Sequence, residues 1–192
     1  MAKLIVISGA SGVGKTSLAE RLLAHPSFTR AVTATTRAPR GNEQDGVDYH
    51  FLSRERFEAD IAAGRFLEHA DVYGRLYGTP RENVARILES GQHCVLLLDV
   101  QGVESLQADG VEALYVFVTA PSMEELERRL RARGDDAPEA VEARIREAKN
   151  EMDQQDRFDR VLINDEIERA ARELAGWVDI DLADDAGTPR RP

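Results

Sequence analysis

Residues 9–17 read Gly9-Ala10-Ser11-Gly12-Val13-Gly14-Lys15-Thr16-Ser17. The spacing G-x-x-x-x-G-K-[ST] constrains this chain more than any other feature in it. Glycines let consecutive backbone N–H groups turn toward one point and cradle phosphate oxygens. Lysine adds a flexible point charge for the β- and γ-phosphates, and the hydroxyl that follows can bind Mg2+. The arrangement works when a strand enters the loop and a helix leaves it with its positive end on the same spot. Both flanks are present: "KLIVIS" (3–8) has the length and apolarity of a buried strand, and "TSLAERLLA" from Thr16 has helical spacing. Lysine occurs three times against 22 arginines, yet this position holds lysine. Such a loop implies a nucleoside triphosphate ligand and an α/β fold, with the ligand beyond the carboxyl ends of a parallel sheet.

The rest of the chain supplies that sheet. "HCVLLLD" (93–99), "ALYVFVT" (113–119) and "RVLI" (160–163) predict further buried strands. Thr79-Pro80-Arg81-Glu82 reads as a capping box with proline at the first helical position, and Gly91 closes that helix. Ser122-Met123-Glu124-Glu125 reads as a second box, opening a helix toward Gly134. A charged helix is predicted from Pro138 to about Met152, and "EIERAARELAGWV" forms a last one anchored by Trp177. Strands alternating with helices predict a parallel sheet flanked by helices on both faces. Residues 31–80 break the rhythm. They offer a short strand "YHFLS" (49–53), a helix capped by Ser53 and stopped by Gly64, and a strand "FLEHADVY" (66–73). The expected division of this single domain is a core of 1–30, 81–133 and 147–180, an inserted lobe of 31–80, a lid of 134–146 and a frayed tail of 181–192.

Charge is unevenly spread. The chain carries 35 Asp and Glu against 25 Lys and Arg, for a net charge of −10. The first 42 residues reverse this, with six basic residues against Glu20 alone. "RAVTATTRAPRG" (30–41) holds three arginines and no acid. The asymmetry implies that the N-terminal part meets an anion. Overall acidity argues against a nucleic-acid binder, which needs a broad basic face. No apolar run approaches the ~20 residues needed to span a bilayer. Cys94 is the only cysteine, so no internal disulfide exists, and a reducing cytoplasm is the expected location. The expected partners are small molecules rather than nucleic acid or membrane, and oligomeric state is not encoded in these features.

After the phosphate loop come "ATTRAPRGNEQDGVDYHF", "FLEHADVYGRLYGTP", "LLLDVQG", "RRLRARG" and "INDE", in that order. Together with the loop they resemble the guanylate kinases from residue 3 to about 178. The resemblance implies a core with a parallel sheet, a GMP-binding lobe and a mobile lid. It implies that Gly9 through Ser17, with Arg129, Arg133 and Asn164, bind ATP, and that Asn164 and Asp165 lie near the adenine. It assigns the GMP phosphate to Arg37, Arg40, Tyr49 and Tyr77, with Glu43 and Gly78 in the same site. Arginine forks suit phosphate oxygens, and phenol hydroxyls add neutral donors. The base falls to Glu68, Thr33 and Thr79: a carboxylate accepts from guanine N1–H and the 2-amino group, while a threonine hydroxyl donates to O6. Lys15, Arg133 and Arg144 are the implied catalytic residues. Thr16 and Asp99 are the implied Mg2+ residues, directly or through water, and Asp99 is also placed beside GMP.

Two departures stand out. Leu97 occupies a position where the family commonly has an acid, and "RGNE" replaces the usual arginine-proline-glycine-glutamate while keeping Glu43. The reaction implied is ATP + GMP giving ADP + GDP, with dGMP as a second acceptor and closure of lobe and lid over the substrates. A kinase for another phosphorylated small molecule is the alternative, opposed by Glu68 with Thr79. A non-catalytic binding module of the same fold is a further one, opposed by the intact phosphate loop.

Overall fold

The computed structural model describes residues 1–72, 74–132 and 138–182. Strand β1 (Leu4–Gly9) lies at the centre of a five-stranded sheet. The other strands are β2 (Phe28–Arg30), β7 (His93–Leu97), β8 (Leu114–Thr119) and β9 (Arg160–Ile163), in the order β2-β7-β1-β8-β9. Every pairing in it is parallel. All residues of β1 are buried, because helices cover both faces and leave no polar side to the strand.

On one face Ile5, Ile7, Val95, Val116 and Val118 meet α1 (Lys15–Leu23), α5 (Met123–Ala132), α6 (Pro138–Met152) and α7 (Ile167–Gly176). Trp177 packs at the margin of this cluster. On the other face Leu4, Val6, Cys94 and Leu96 meet α3 (Arg81–Glu89) and α4 (Val100–Ala108). The sequence reading lacks β2 and α4. The first is three residues long, too short to show a period. The second contains a glycine and carries no acid in its first turn, so its start signal is weak.

A second sheet holds β3 (Ala34–Thr35), β4 (His50–Phe51), β5 (Phe66–Val72) and β6 (Arg75–Pro80), in the order β4-β3-β6-β5. β3 and β4 are parallel, whereas β6 runs antiparallel to both β3 and β5. Ala34, Phe66 and Leu76 on one face pack against Phe57 of α2 (Arg54–Ala62). Ser53 caps α2 as expected, accepting from the Arg56 N–H at 3.2 Å. The opposite face of β5 and β6 carries Glu68, Thr79 and Tyr77 by strand alternation.

Two capping expectations need correction. Thr79 does not cap α3: it pairs with Glu68 within the β5–β6 ladder, and Pro80 takes the capping position without a side-chain bond. Pairing that extends to Pro80 keeps the Thr79 hydroxyl on the sheet face. Ser122 does accept from the Glu125 N–H at 3.2 Å, but the Glu125 carboxylate bonds Arg128 and Arg129.

The lobe's small core depends on Phe57, fully buried and stacked on Phe66 with ring centroids 4.3 Å apart. Phe57→Ala should destabilise the lobe by ~3–5 kcal/mol. Urea unfolding followed by circular dichroism reads this as a lower midpoint or a separate early transition.

Candidate functional site

The phosphate loop is locked against the sheet behind it. A Cβ on Gly9 would stand 2.1 Å from the Val118 carbonyl oxygen, so only glycine lets the loop leave β1 beside β8. Gly14 has φ 92° and precedes α1; a Cβ there would meet the Asn164 amide nitrogen at 2.5 Å. That amide donates to the Val13 carbonyl at 2.7 Å, while the Asn164 N–H donates to Thr119 O at 2.8 Å. Arg129 in turn donates to the Asn164 carbonyl at 3.0 Å and to Glu125 at 2.8 Å. Asn164 and Arg129, both expected as ATP ligands, make these bonds behind the loop and hold its backbone. Asp165 pairs with Arg169 at 2.8 Å on the surface.

Within the loop, the Lys15 ammonium donates to the Gly9 and Ala10 carbonyls, the latter at 3.0 Å. Thr16 and Ser17 are exposed in the first turn of α1. The Ser11 N–H donates to Glu151 of α6 at 3.3 Å. Burial raises the Glu151 pKa, against the opposing effects of the Ser11 N–H and the Lys15 charge. Nothing in the sequence singles out this carboxylate among the acids of a charged helix. Arg144 lies half-buried on α6, two turns before Glu151. Arg133 lies outside the described residues.

Asp99 follows β7 and caps α4, with Oδ1 accepting from the Gly102 N–H at 2.7 Å. It lines a cavity of about 270 Å3 between α4 and α6, shared with Glu147 and Glu151. Thr16 and Asp99 are hard oxygen donors just beyond β1 and β7, adjacent strands. They fit Mg2+, which takes few protein ligands and keeps water and phosphate oxygens. Among the described residues, no group of three or more His, Cys, Asp and Glu could hold a metal without such help.

In the second sheet the expected phosphate and base residues share one face, and several have partners that the sequence did not reveal. Arg37 is buried, and its two Nη atoms bond Glu43 at 2.9 Å each. Glu43 also accepts from the Arg40 N–H at 2.7 Å. Arg37 is pushed more basic by Glu43, and Glu43 is pulled below the usual carboxylate range by Arg37 and the Arg40 N–H. The acid-free stretch is thus not acid-free in space. Glu43, expected in the GMP site, orients Arg37 there. The Arg37 guanidinium sits 5.3 Å from the Tyr49 ring centre, and Tyr49 and Tyr77 meet edge-on. Arg37, Arg40 and Tyr77 line a cavity of about 570 Å3 together with Arg75, which the sequence reading passed over. The two-residue period of β6 was its only signal.

At the other end Glu68 and Thr79 are buried, and the Thr79 hydroxyl donates to Glu68 Oε1 at 2.6 Å. Its proton is engaged there, so while that bond stands Thr79 meets a ligand as an acceptor, not as the expected donor to O6. Burial raises the Glu68 pKa, the Thr79 bond opposes this, and the Asp99 charge adds to it. Thr33 is half-buried, and its carbonyl accepts from the His50 N–H at 2.8 Å. Gly78 serves packing: a Cβ there would meet Phe57 and Phe66 at 3.0 Å.

A family model described as guanylate kinase matches residues 1–180. Guanylate kinase 1 of Oryza sativa subsp. japonica is 46% identical over 184 residues, covering 93% of this chain and 48% of that protein. The chain thus spans about half the length of the rice relative. The guanylate kinase of Trichormus variabilis is 45% identical, with 90% of this chain and 87% of that protein covered. The crystal structure of guanylate kinase from Anaplasma phagocytophilum superimposes with a TM-score of 0.67 at 31% identity, covering 92% of this chain and 84% of that one.

Glu68 carries a pH signature. Its folded pKa is raised by burial, so the folded protein keeps this proton to higher pH than the unfolded chain. Stability from the protonated form is fully present below the unfolded value and is lost as pH rises through the folded one. Glu68→Gln should therefore melt higher than wild type near pH 8, with the gain vanishing as pH falls into the ordinary carboxylate range. Calorimetry across that range checks it, and equal melting temperatures at pH 8 would show that the buried charge carries no penalty.

Proposed function

The chain belongs to the guanylate kinase family, and we propose that it transfers the γ-phosphoryl group of ATP to GMP, and to dGMP, giving ADP and GDP. The observation that carries this reading is the single face of the second sheet. It presents a buried carboxylate, Glu68, toward one end and an arginine-lined cavity toward the other. A nucleoside monophosphate has the matching polarity, with a hydrogen-bonding base at one end and a dianion at the other.

Glu68 accepts from guanine N1–H and the 2-amino group, and Arg37 and Arg40 take the phosphate with Tyr49 and Tyr77. The loop of Gly9 through Ser17 offers backbone N–H groups and the Lys15 ammonium to ATP, whose terminal phosphate then faces the acceptor. Lys15 exchanges its carbonyl partners for phosphate oxygens. Mg2+ bound with ATP would neutralise phosphate charge, with Thr16 and Asp99 as the residues that hold it. No covalent enzyme intermediate is needed, since phosphoryl transfer is mostly positioning and charge stabilisation. Arg144 reaches the transferring group when the lobe of 31–80 closes and excludes water; Arg133, also expected in catalysis, and 134–137 of the expected lid lie outside the described residues.

The partners in this reading are ATP and GMP or dGMP, with neither nucleic acid nor membrane. No described helix is long and apolar enough to cross a membrane. Cytoplasmic location belongs to the same proposal.

Lys15→Ala should lower turnover by about 10²–10³-fold, the effect of losing one charge clamp on a transferring phosphoryl group. The fold should persist, because the side chain adds little packing. Coupled assay of ADP release on the purified variant checks this, and near-wild-type activity would remove the loop from the mechanism.

Guanine selectivity gives a second test. Glu68→Gln replaces one acceptor with a donor, so a guanine donor faces a donor in a buried site. The kcat/KM for GMP should fall by about 30- to 1000-fold, while that for AMP changes little. If both efficiencies fall together and their ratio holds, Glu68 is structural and the base is read elsewhere.

A further inference from the structure

Strand β6 sets out three side chains along one face at two-residue intervals. Thr79 stands beside Glu68, Tyr77 comes next, and Arg75 lies beyond it opposite Val72. Each step is about 6.6 Å, from ~3.3 Å per residue. Leu76, between Tyr77 and Arg75, points the other way and packs with Phe57 and Phe66. The order along the strand therefore runs from the base end to the phosphate end, and Arg75 sits past the phosphate hydroxyl of Tyr77. It lines the same cavity of about 570 Å3 as Arg37, Arg40 and Tyr77.

Charge at that cavity does not balance without it. Both Nη atoms of Arg37 are bound to Glu43, so the pair is neutral as a unit. Arg40 then contributes a single positive charge. A phosphate monoester near neutral pH carries about −1.5 to −2. In this acidic chain arginines are commonly paired, as Arg21, Arg54, Arg56 and Arg65 are. Arg40 and Arg75 form no ion pair among the described residues. Glu43 is the acid that reaches this cluster, and Arg37 holds it.

We propose that Arg75 is a phosphate-binding residue for the acceptor nucleotide, supplying the second net positive charge that a dianion requires. The inference rests on the function proposed above. Arg75 is exposed, so its guanidinium can swing onto a phosphate seated between Arg40 and Tyr77 without disturbing the sheet. A loose, long-armed contact of this kind acts on acceptor affinity and not on the transfer step.

The test is a charge series, Arg75→Lys, Arg75→Ala and Arg75→Glu, assayed for kcat and for both KM values at low and high KCl. The KM for GMP should rise in that order, by about 10-fold for Arg75→Ala, while the KM for ATP and kcat stay within about twofold. Added salt should raise the wild-type KM for GMP more steeply than that of Arg75→Ala, because one screened attraction has been removed. A purely structural role would produce neither the charge order nor the salt difference. Wild-type KM values for GMP in Arg75→Ala and Arg75→Glu would overturn the proposal, as would an equal rise in both KM values. Failure of the wild-type protein itself to phosphorylate GMP would instead overturn the function from which the proposal starts.

Discussion

The approach of Gly9 to the Val118 carbonyl, where a Cβ would stand 2.1 Å from the oxygen, is the constraint on which the rest of the site depends. It brings the end of β1 against the end of β8, and it turns the loop out of the sheet at a point with parallel strands on both sides. From there the loop is held by what lies beyond the next strand. Asn164, after β9, takes the Val13 carbonyl, and Arg129 of α5 takes the Asn164 carbonyl. A flexible glycine-rich segment thereby acquires a fixed shape without spending the side chains that face the nucleotide. Conformational restriction of this kind is what allows several backbone N–H groups to act on one phosphate at once.

The second sheet solves a different problem. It must hold charged groups in a lobe whose apolar core is small, with Phe57, Phe66, Leu76 and Ala34 as its buried members. Arg37 is kept buried by a forked bond to Glu43, and Asp60 is held by Arg56 and Arg65. A buried guanidinium left without such a partner would carry a desolvation penalty of several kcal/mol. Pairing solves that penalty for the fold and reduces the charge left for the ligand. The distribution of unpaired arginines at the rim follows from this tension.

Much of the core was legible in the sequence because its signals are local. The glycine-lysine loop, the apolar runs of β7, β8 and β9, and the charged helix α6 each announce themselves within a dozen residues, and each appears where the pattern puts it. The lobe was harder, since β3 and β4 are two residues long and exist only through pairing with distant β6 and with each other. Thr79 shows the cost of reading locally. Threonine, proline and glutamate in sequence make a plausible helix start, but Glu68 across the ladder claims the hydroxyl. The bonds of Asn164 to Val13 and Thr119 were not legible, because sequence order does not show which side chains hold the loop from behind. Glu43 and Glu151 carry no local mark at all, and their parts emerge only from what they touch.

The site's polar groups also have internal partners. Lys15 bonds loop carbonyls, Thr79 bonds Glu68, Arg37 bonds Glu43, and the Ser11 N–H bonds Glu151. In the proposed function, nucleotide binding at these positions would be an exchange of hydrogen bonds, so each would contribute a difference and not a full bond strength. An exchange favours ligands selectively. A base that satisfies Glu68 recovers the desolvation already incurred on folding. A base that meets it with a lone pair leaves a buried carboxylate opposed. Discrimination is therefore greatest where burial is deepest, at Glu68 and Thr79, and weakest at the exposed arginine rim, where water can replace any missing partner. In the proposed function the same gradient would separate the two tasks along the strand face: the buried end would decide which base enters, and the open end would capture the phosphate that all nucleotides share.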